Sequence, residues 1–335
     1  MEFLVSDVPF VSGQRGSIID AMRTRGADVT TGDAIEVLHQ YTVDVSSVRV
    51  AARSFNTVFR VRDVRGHAYA LRIPPATRIH PDGREGVETE WLAALRGDAR
   101  IHVPSVVVTR AGASVADAPV GGGPARPAVL FDWMTGTPMS VRPSEAAAVA
   151  VGSMAARLHR HPSGMSHTAR AGVPIADQVL YWSLPNRLPE LSRFGGVVSE
   201  ALARAEVAVA ALSSRDGAGA AHLLHGDVAP HNVILRRDAE PALIDFDDLI
   251  WGVDIQDVAI TVAALRGYPE GDRLVTAYRA GYEQDGTWPV GDSAELEALV
   301  AARRILQLNL GLNLRKPGIG AYIDRIVAEL RAWMA

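Results

Sequence analysis

His225-Gly226-Asp227-Val228-Ala229-Pro230-His231-Asn232, with Ile244-Asp245-Phe246-Asp247-Asp248 shortly after it, is the stretch of this chain best equipped for chemistry. A loop that sets Asp227 and Asn232 five residues apart, followed by a hairpin that returns Asp245, gathers three hard oxygen donors in one cleft. Such donors suit Mg²⁺. The plain alternative makes Asp227 and Asn232 turn formers and Asp245 the end of an edge strand. It accounts for each residue singly, but not for an acid placed directly after the apolar run Ala242-Leu243-Ile244, where a strand would continue its buried pattern.

Composition narrows the chemistry. Across 335 residues, Lys+Arg 34 against Asp+Glu 38 leaves a net charge of −4, which provides no basic surface for a nucleic acid partner. Lys316 is the lone lysine, so Schiff-base chemistry elsewhere and a G-x-x-x-x-G-K-[ST] phosphate loop are excluded. With no cysteine there is no disulfide, thiolate nucleophile, iron–sulfur cluster or thiolate zinc site, and a metal must be held by oxygen or histidine. Met1-Glu2-Phe3-Leu4 opens without the charged flank and apolar core of a signal peptide, and no run approaches the roughly 18 apolar residues of a membrane span. The expectation is a soluble, cytoplasmic protein without a membrane partner. Oligomeric state is not legible.

The elements that must position these residues fall into two groups. Residues 1–32 show no sustained periodicity and form an N-terminal extension without an assigned job. Asp33 is expected to cap a helix with Ile35, Leu38, His39 and Thr42 on one face. From Val48 the pattern alternates, and Val58–Val61 and Tyr69–Ile73 read as an antiparallel hairpin turning at Arg65-Gly66. Glu85–Leu95 has helical spacing, burying Val87, Trp91, Leu92 and Leu95. Val103–Thr109 and Ala128–Phe131 read as further strands around the loop Gly121-Gly122-Gly123-Pro124. A lobe over 33–134 ends at the connector Thr135–Pro138. From 135 to 335 the chain is mainly helical, with Pro143-Ser144-Glu145 capping a helix that runs to Pro162 and helical repeats around Val198–Leu212, Leu296–Leu306 and Ile319–Trp333. Only Leu223–Phe246 interrupts the helices.

On these residues the chain resembles the aminoglycoside phosphotransferases, relatives of choline and homoserine kinases with a protein-kinase-like fold. The similarity rests on H-x-D-x-x-x-x-N and I-D-F-D-D, on Tyr69–Ile73, on Glu88–Leu92, on Leu158-His159 and on Gly252–Ala259 with Asp254 and Asp257, and it spans about residues 33 to 335. It implies an α+β, two-lobed fold: a small antiparallel-sheet lobe for nucleotide and a larger helical lobe for catalysis and acceptor. It also implies that Asp227 accepts the acceptor hydroxyl's proton, that Asn232 and Asp245 ligate Mg²⁺, and that ATP is the phosphoryl donor. Phosphoryl transfer agrees with such a sparse set, because it needs positioning and charge neutralisation more than covalent help. His225 reads as a brace for the loop, and His231 carries no role. Arg72 stands where protein kinases place a lysine for the α- and β-phosphates; it keeps the charge and adds a planar fork. Its partner by register is Glu88, with Glu90 as the alternative. The loop Arg53-Ser54-Phe55-Asn56-Thr57 lacks glycine, so Ser54, Asn56 and Thr57 are expected to meet the phosphates instead.

Other features stay close to plain structural readings. His159-Arg160-His161 reads as a basic helix C-terminus, Glu283 and Asp285 as a solvated helix end, and Tyr181-Trp182 as a pocket wall or a satellite core. The leading function is an ATP-dependent kinase for a hydroxyl of a small molecule, an antibiotic or sugar-like metabolite, serving resistance or self-protection. Homoserine- or choline-type metabolite kinases are the near alternative. A stress-response-type protein Ser/Thr kinase keeps the fold and changes the acceptor. A pseudokinase would lack one of Asp227, Asn232 or Asp245, and a metal-dependent hydrolase would need further histidine ligands.

Overall fold

The computed structural model describes residues 29–53, 55–76, 78–98, 100–161, 172–213, 221–237, 240–314 and 319–335. Nearly all of the expected N-terminal extension, and Ser54, lie outside them. Helix α1 (Thr31–Leu38) starts earlier than expected: Thr30 is the cap, accepting the Asp33 N–H at 3.2 Å, while the Asp33 carboxylate accepts the Thr30 N–H at 2.7 Å. This reciprocal pair makes Asp33 the third residue of the helix and not its cap. The buried face is Ala34, Val37 and Leu38 with Tyr41 beyond, and Ile35 is exposed, so the expected face is off by one position.

The strands β1 (Val45–Arg53), β2 (Thr57–Asp63), β3 (Ala68–Ile73), β4 (Val106–Val107), β5 (Ala116–Ala118) and β6 (Arg126–Asp132) form one antiparallel sheet in the order β1-β2-β3-β6-β4, with β5 on β6. Strict alternation makes β2 a half-buried strand: Thr57, Phe59, Val61 and Asp63 face inward. The β2–β3 hairpin turns at Gly66, whose φ of 90° suits glycine, and the Asp63 side chain accepts the Arg65 and His67 N–H groups across the turn. The strand expected over Val103–Thr109 pairs in the sheet only at Val106–Val107. Helix α2 (Arg84–Leu95) packs its Val87, Trp91, Leu92 and Leu95 inward as expected.

The connector pairs instead of hanging free: β7 (Thr137–Pro138) lies antiparallel to β9 (Val233–Leu235). Helix α3 (Glu145–Arg160) is capped by Ser144 and α4 (Val197–Ser213) follows. Next come β8 (His222–Leu224), β9, β10 (Pro241–Leu243), β11 (Ile250–Gly252), α5 (Asp254–Leu265), α6 (Gly271–Asp285), α7 (Ser293–Asn313) and α8 (Ile319–Met334). Helices α3 and α6 meet backbone to backbone at Gly152 and Gly281. A Cβ on Gly281 would come within 1.9 Å of the Val149 carbonyl oxygen. β9 and β10 form a short antiparallel hairpin, and β8 pairs antiparallel with β11, so that residues 225–249 leave and return at neighbouring strands. One apolar core fills the sheet side of the first lobe, around Phe59, Leu71 and Leu130. A larger one runs from α2 through all the C-terminal helices, so the α+β, two-lobed arrangement expected from the sequence is what forms.

Candidate active site

The loop between β8 and β9 is held from four sides. His225 is fully buried; its Nδ1 accepts the Asp227 N–H at 3.2 Å, which leaves Nε2 to donate to the Ile244 carbonyl at 3.2 Å. Its ring meets Phe246 edge-on at 4.4 Å. The brace expected of His225 therefore ties the loop to the Ile244–Asp248 segment. Gly226, at φ 77°, donates its N–H to Asp257 at 2.9 Å, and a Cβ there would fall 1.9 Å from the Asp248 carbonyl oxygen. Thr261 bonds the Val228 carbonyl at 2.9 Å, and Asn232 donates to both the backbone and the carboxylate of Asp227, at 3.0 and 2.9 Å. The Ile244 N–H donates to the Asn232 carbonyl at 2.9 Å, which sets Asp245 beside Asn232.

Asp227 sits at the centre. Arg303 Nη2 donates to its Oδ1 at 2.8 Å, and His231 Nε2 lies 3.3 Å from its Oδ2. Burial pushes the carboxyl up, but the His231 hydrogen bond and the Arg303 charge outweigh it and hold the group well below the usual carboxylate range. His231, unassigned from sequence, is raised above its ordinary value because the hydrogen bond and charge of Asp227 more than offset its lost solvation.

Asp245 is the one described non-glycine residue with positive φ, 65°, a left-handed turn that aims its carboxylate into the cleft. Burial and the neighbouring Asp247 raise it well above the ordinary range, with Arg72 at 3.8 Å opposing. Asp247 goes the other way: burial is outweighed by Arg72 and Arg84, and Asn56 donates to it at 2.5 Å. Asp248 bonds His80 at 2.8 Å. Among the described residues no group of three or more His, Asp or Glu side chains is already arranged to hold a metal. The donor set nevertheless fits a hard cation, because clustered carboxylates with one raised member are relieved by positive charge.

Arg72 on β3 and Glu88 on α2 form a buried bidentate pair, with Nη1 to Oε1 at 2.8 Å and Nη2 to Oε2, and the guanidinium lies over the Phe131 ring. Glu90 is exposed and takes no part. Of the residues expected to replace loop glycines, Asn56 donates to Asp247 and Thr57 is buried at the start of β2, on its inward-facing side, while Ser54 lies outside the described residues.

Two plain readings are also corrected, and a third, Tyr181-Trp182 as a pocket wall, is met. His159 is not part of a surface basic cluster; it is buried, with Nδ1 2.8 Å from the Tyr282 hydroxyl and Nε2 3.3 Å from the Asp257 carboxylate that holds Gly226. Asp285 is not a free helix end, since it accepts from Ser153 at 2.5 Å and neighbours Arg157. Tyr181 lines a pocket together with Arg303, and Trp182 stacks beneath the Arg303 guanidinium at 5.4 Å. Burial pushes the Tyr181 phenol up to about 12. Arg303, Arg84 and His80 had escaped sequence reasoning. Arg303 alone carried a signal: it falls four residues after Leu299 and three before Leu306, on the buried stripe of α7.

The family description "phosphotransferase enzyme family" (APH) matches residues 48–293. A solved microcompartment-associated aminopropanol kinase superposes with a TM-score of 0.67 at 21% identity, covering 91% of this chain and 95% of its own. An amicoumacin kinase bound to AMP-PNP, Ca²⁺ and amicoumacin gives 0.70 at 19%, with 90% and 92% covered. A spectinomycin phosphotransferase with ADP and spectinomycin gives 0.61 at 10%, with 90% and 93% covered. No curated protein sequence matches the chain. Among the described residues no helix is long and apolar enough to cross a membrane.

Proposed function

The chain belongs to the phosphotransferase enzyme family, and from that premise we propose that it moves the γ-phosphoryl group of ATP to a hydroxyl of a small molecule. The observation that carries the reading is the ionised Asp227, held by Arg303, Asn232 and His231 beside the Asp245 carboxylate. A hydroxyl presented to Asp227 is oriented by a carboxylate that stays charged at neutral pH. Its depressed basicity suits a loose transition state, in which the proton leaves late and alignment matters most. Arg72, locked by Glu88, supplies fixed positive charge at the β3 side for the donor's phosphates. Asn232 and Asp245 are the residues that would hold Mg²⁺, which when bound neutralises phosphate oxygens.

Structural neighbours named for an amino alcohol, amicoumacin and spectinomycin support a small-molecule acceptor, and resistance or self-protection is the physiological role we infer. Nothing in the comparisons favours the protein-acceptor reading. The pseudokinase reading is disfavoured by the intact Asp227, Asn232 and Asp245, and the hydrolase reading by His225, whose two ring nitrogens are both engaged by backbone groups and leave none for a metal. ADP release over a panel of aminoglycosides, macrolides, nucleoside antibiotics, homoserine and choline is the test. Acceptor-dependent ADP release that disappears in Asp227→Asn supports the proposal; phosphoester hydrolysis without ATP, best with zinc, would replace it with the hydrolase.

A further inference from the structure

Asp227 receives three side-chain donors, and they differ in exposure. Arg303 Nη2 meets Oδ1 at 2.8 Å, while Asn232 Nδ2, at 2.9 Å, and His231 Nε2, at 3.3 Å, share Oδ2. A carboxylate oxygen offers two lone pairs, so Oδ2 is filled. Arg303 and Asn232 are buried, whereas the His231 side chain is 57% exposed. The backbone around it is pinned, since the Pro230 carbonyl accepts the Ser140 N–H at 3.0 Å and the Asn232 N–H donates to the Ala229 carbonyl at 2.8 Å. The imidazole is thus the one donor that can leave without disturbing the loop. Oδ2 is also the oxygen on the cation's side: the Asn232 amide nitrogen binds it, and the carbonyl oxygen of the same amide is the group that would ligate the metal. A nucleophile lined up on a phosphate held by that metal gives its proton to Oδ2, and the place it needs is taken by His231.

We propose that His231 is a specificity-determining placeholder: its ring N–H occupies Oδ2 until an acceptor hydroxyl displaces it, and so keeps water from serving as the acceptor. The proposal rests on the phosphotransferase reading of Asp227. With Oδ2 open, a water bonded to it would attack the γ-phosphorus. The bond that forms joins the water oxygen to phosphorus, the bond that breaks joins phosphorus to the β–γ bridging oxygen, the water's proton passes to Asp227, and ADP and inorganic phosphate leave. Water brings nothing beyond its own hydrogen bonds with which to displace a donor tethered to the same loop. An acceptor brings the binding energy of its remaining atoms, and part of that energy goes into swinging the ring aside.

The test is acceptor-free release of inorganic phosphate from Mg²⁺ and ATP by the full chain, read as kcat and KM, with binding of a fluorescent ATP analogue measured alongside. His231→Ala is expected to hydrolyse ATP about tenfold faster than wild type, the equivalent of one displaced hydrogen bond, with the change in kcat and not in KM. His231→Gln, which returns an N–H donor on a flexible arm, should recover most of the suppression, and Asp227→Asn combined with His231→Ala should abolish the gain. A loop that merely loosened would lose turnover, so a rise that glutamine reverses separates the placeholder from a structural role. Should the alanine variant melt early, His231→Ser, too short to reach Oδ2, reads the same quantity. Hydrolysis by the folded variants that equals or falls below that of wild type, while the ATP analogue still binds, would overturn the placeholder and leave the phosphotransferase reading standing. Failure of the wild-type chain to bind the analogue would overturn that reading, and the proposal with it.

Discussion

Arg303 and Asp227, 76 residues apart in sequence, are joined by a 2.8 Å hydrogen bond between side chains that are both largely shielded from water. The pair fixes the loop after β8 to helix α7, which also lines the pocket beside Tyr181. Arg303 is charged with or without its partner, whereas the acidity of Asp227 depends on Arg303, and the variants that separate chemistry from folding follow from that dependence.

Asp227→Asn keeps the shape and one acceptor oxygen among Arg303, Asn232 and His231, so it should fold with a smaller loss of stability than Asp227→Ala. Its turnover should fall by on the order of 10²- to 10⁴-fold, the worth of a positioned base, with ATP-analogue affinity retained. Asp227→Ala should lose turnover too, but also stability, by about 3–5 kcal/mol, because it strands a buried guanidinium. Steady-state kinetics and thermal melts on the two variants check this, and a fully active Asp227→Asn would remove the residue from the chemistry.

The pH dependence has a definite sign. The Asp227 carboxyl lies below its unfolded value of about 3.9, so its contribution to stability is complete above that value and disappears as pH falls through the lower folded value. Arg303→Gln removes a charge that holds the carboxyl down. The acid limb of kcat/KM should therefore move to higher pH in that variant, while the alkaline limb stays in place. A pH–rate profile of the two proteins measures it, and an unmoved acid limb would show that Arg303 does not govern Asp227.

Much of the fold could be read from periodicity, since Val87, Trp91, Leu92 and Leu95, and the inward residues of β2, repeat at helical and strand spacing and are buried. The phase of α1 could not, because Tyr41 beyond the helix selects which side faces the sheet. The chemistry-bearing loop was legible because its donors are close in sequence. Arg303, His80 and Arg84 were not, because they reach the carboxylates Asp227, Asp248 and Asp247 only through tertiary contact. His159 misled for a similar reason: its own neighbours in sequence are basic, while its partners Tyr282 and Asp257 come from α6 and α5.

The Arg72–Glu88 pair predicts asymmetric losses. Arg72→Ala should raise the KM for ATP and lower kcat with little change in acceptor KM, and Arg72→Lys should recover part of both, since charge returns without the fork. Arg72→Ala should be more destabilising than Glu88→Ala, because it leaves the buried Glu88 beside Asp245 and Asp247 without the guanidinium that all three share, whereas Arg72 stripped of Glu88 still faces the other two carboxylates. Kinetics against ATP together with melting curves decide it; unchanged ATP parameters in Arg72→Ala would place the side chain outside the donor site.

Activity should require Mg²⁺ or Mn²⁺, and Asp245→Asn should cost more than Asn232→Ala. Asparagine tolerates the left-handed turn that Asp245 adopts, so the substitution preserves φ near 65° and isolates the charge. Asp245 offers a full negative charge for a hard cation, whereas Asn232 offers a carbonyl dipole whose place a water can take. Asn232 has a second task, since its amide also ties the loop through Asp227. Its loss should therefore appear as a modest fall in kcat at saturating metal, and the loss of Asp245 as a raised metal requirement that saturating ATP does not correct. Titration of both variants with Mg²⁺ separates the two patterns. Turnover that persists in excess chelator, or an Asp245→Asn protein with the metal dependence of wild type, would remove Asp245 from the cation's coordination.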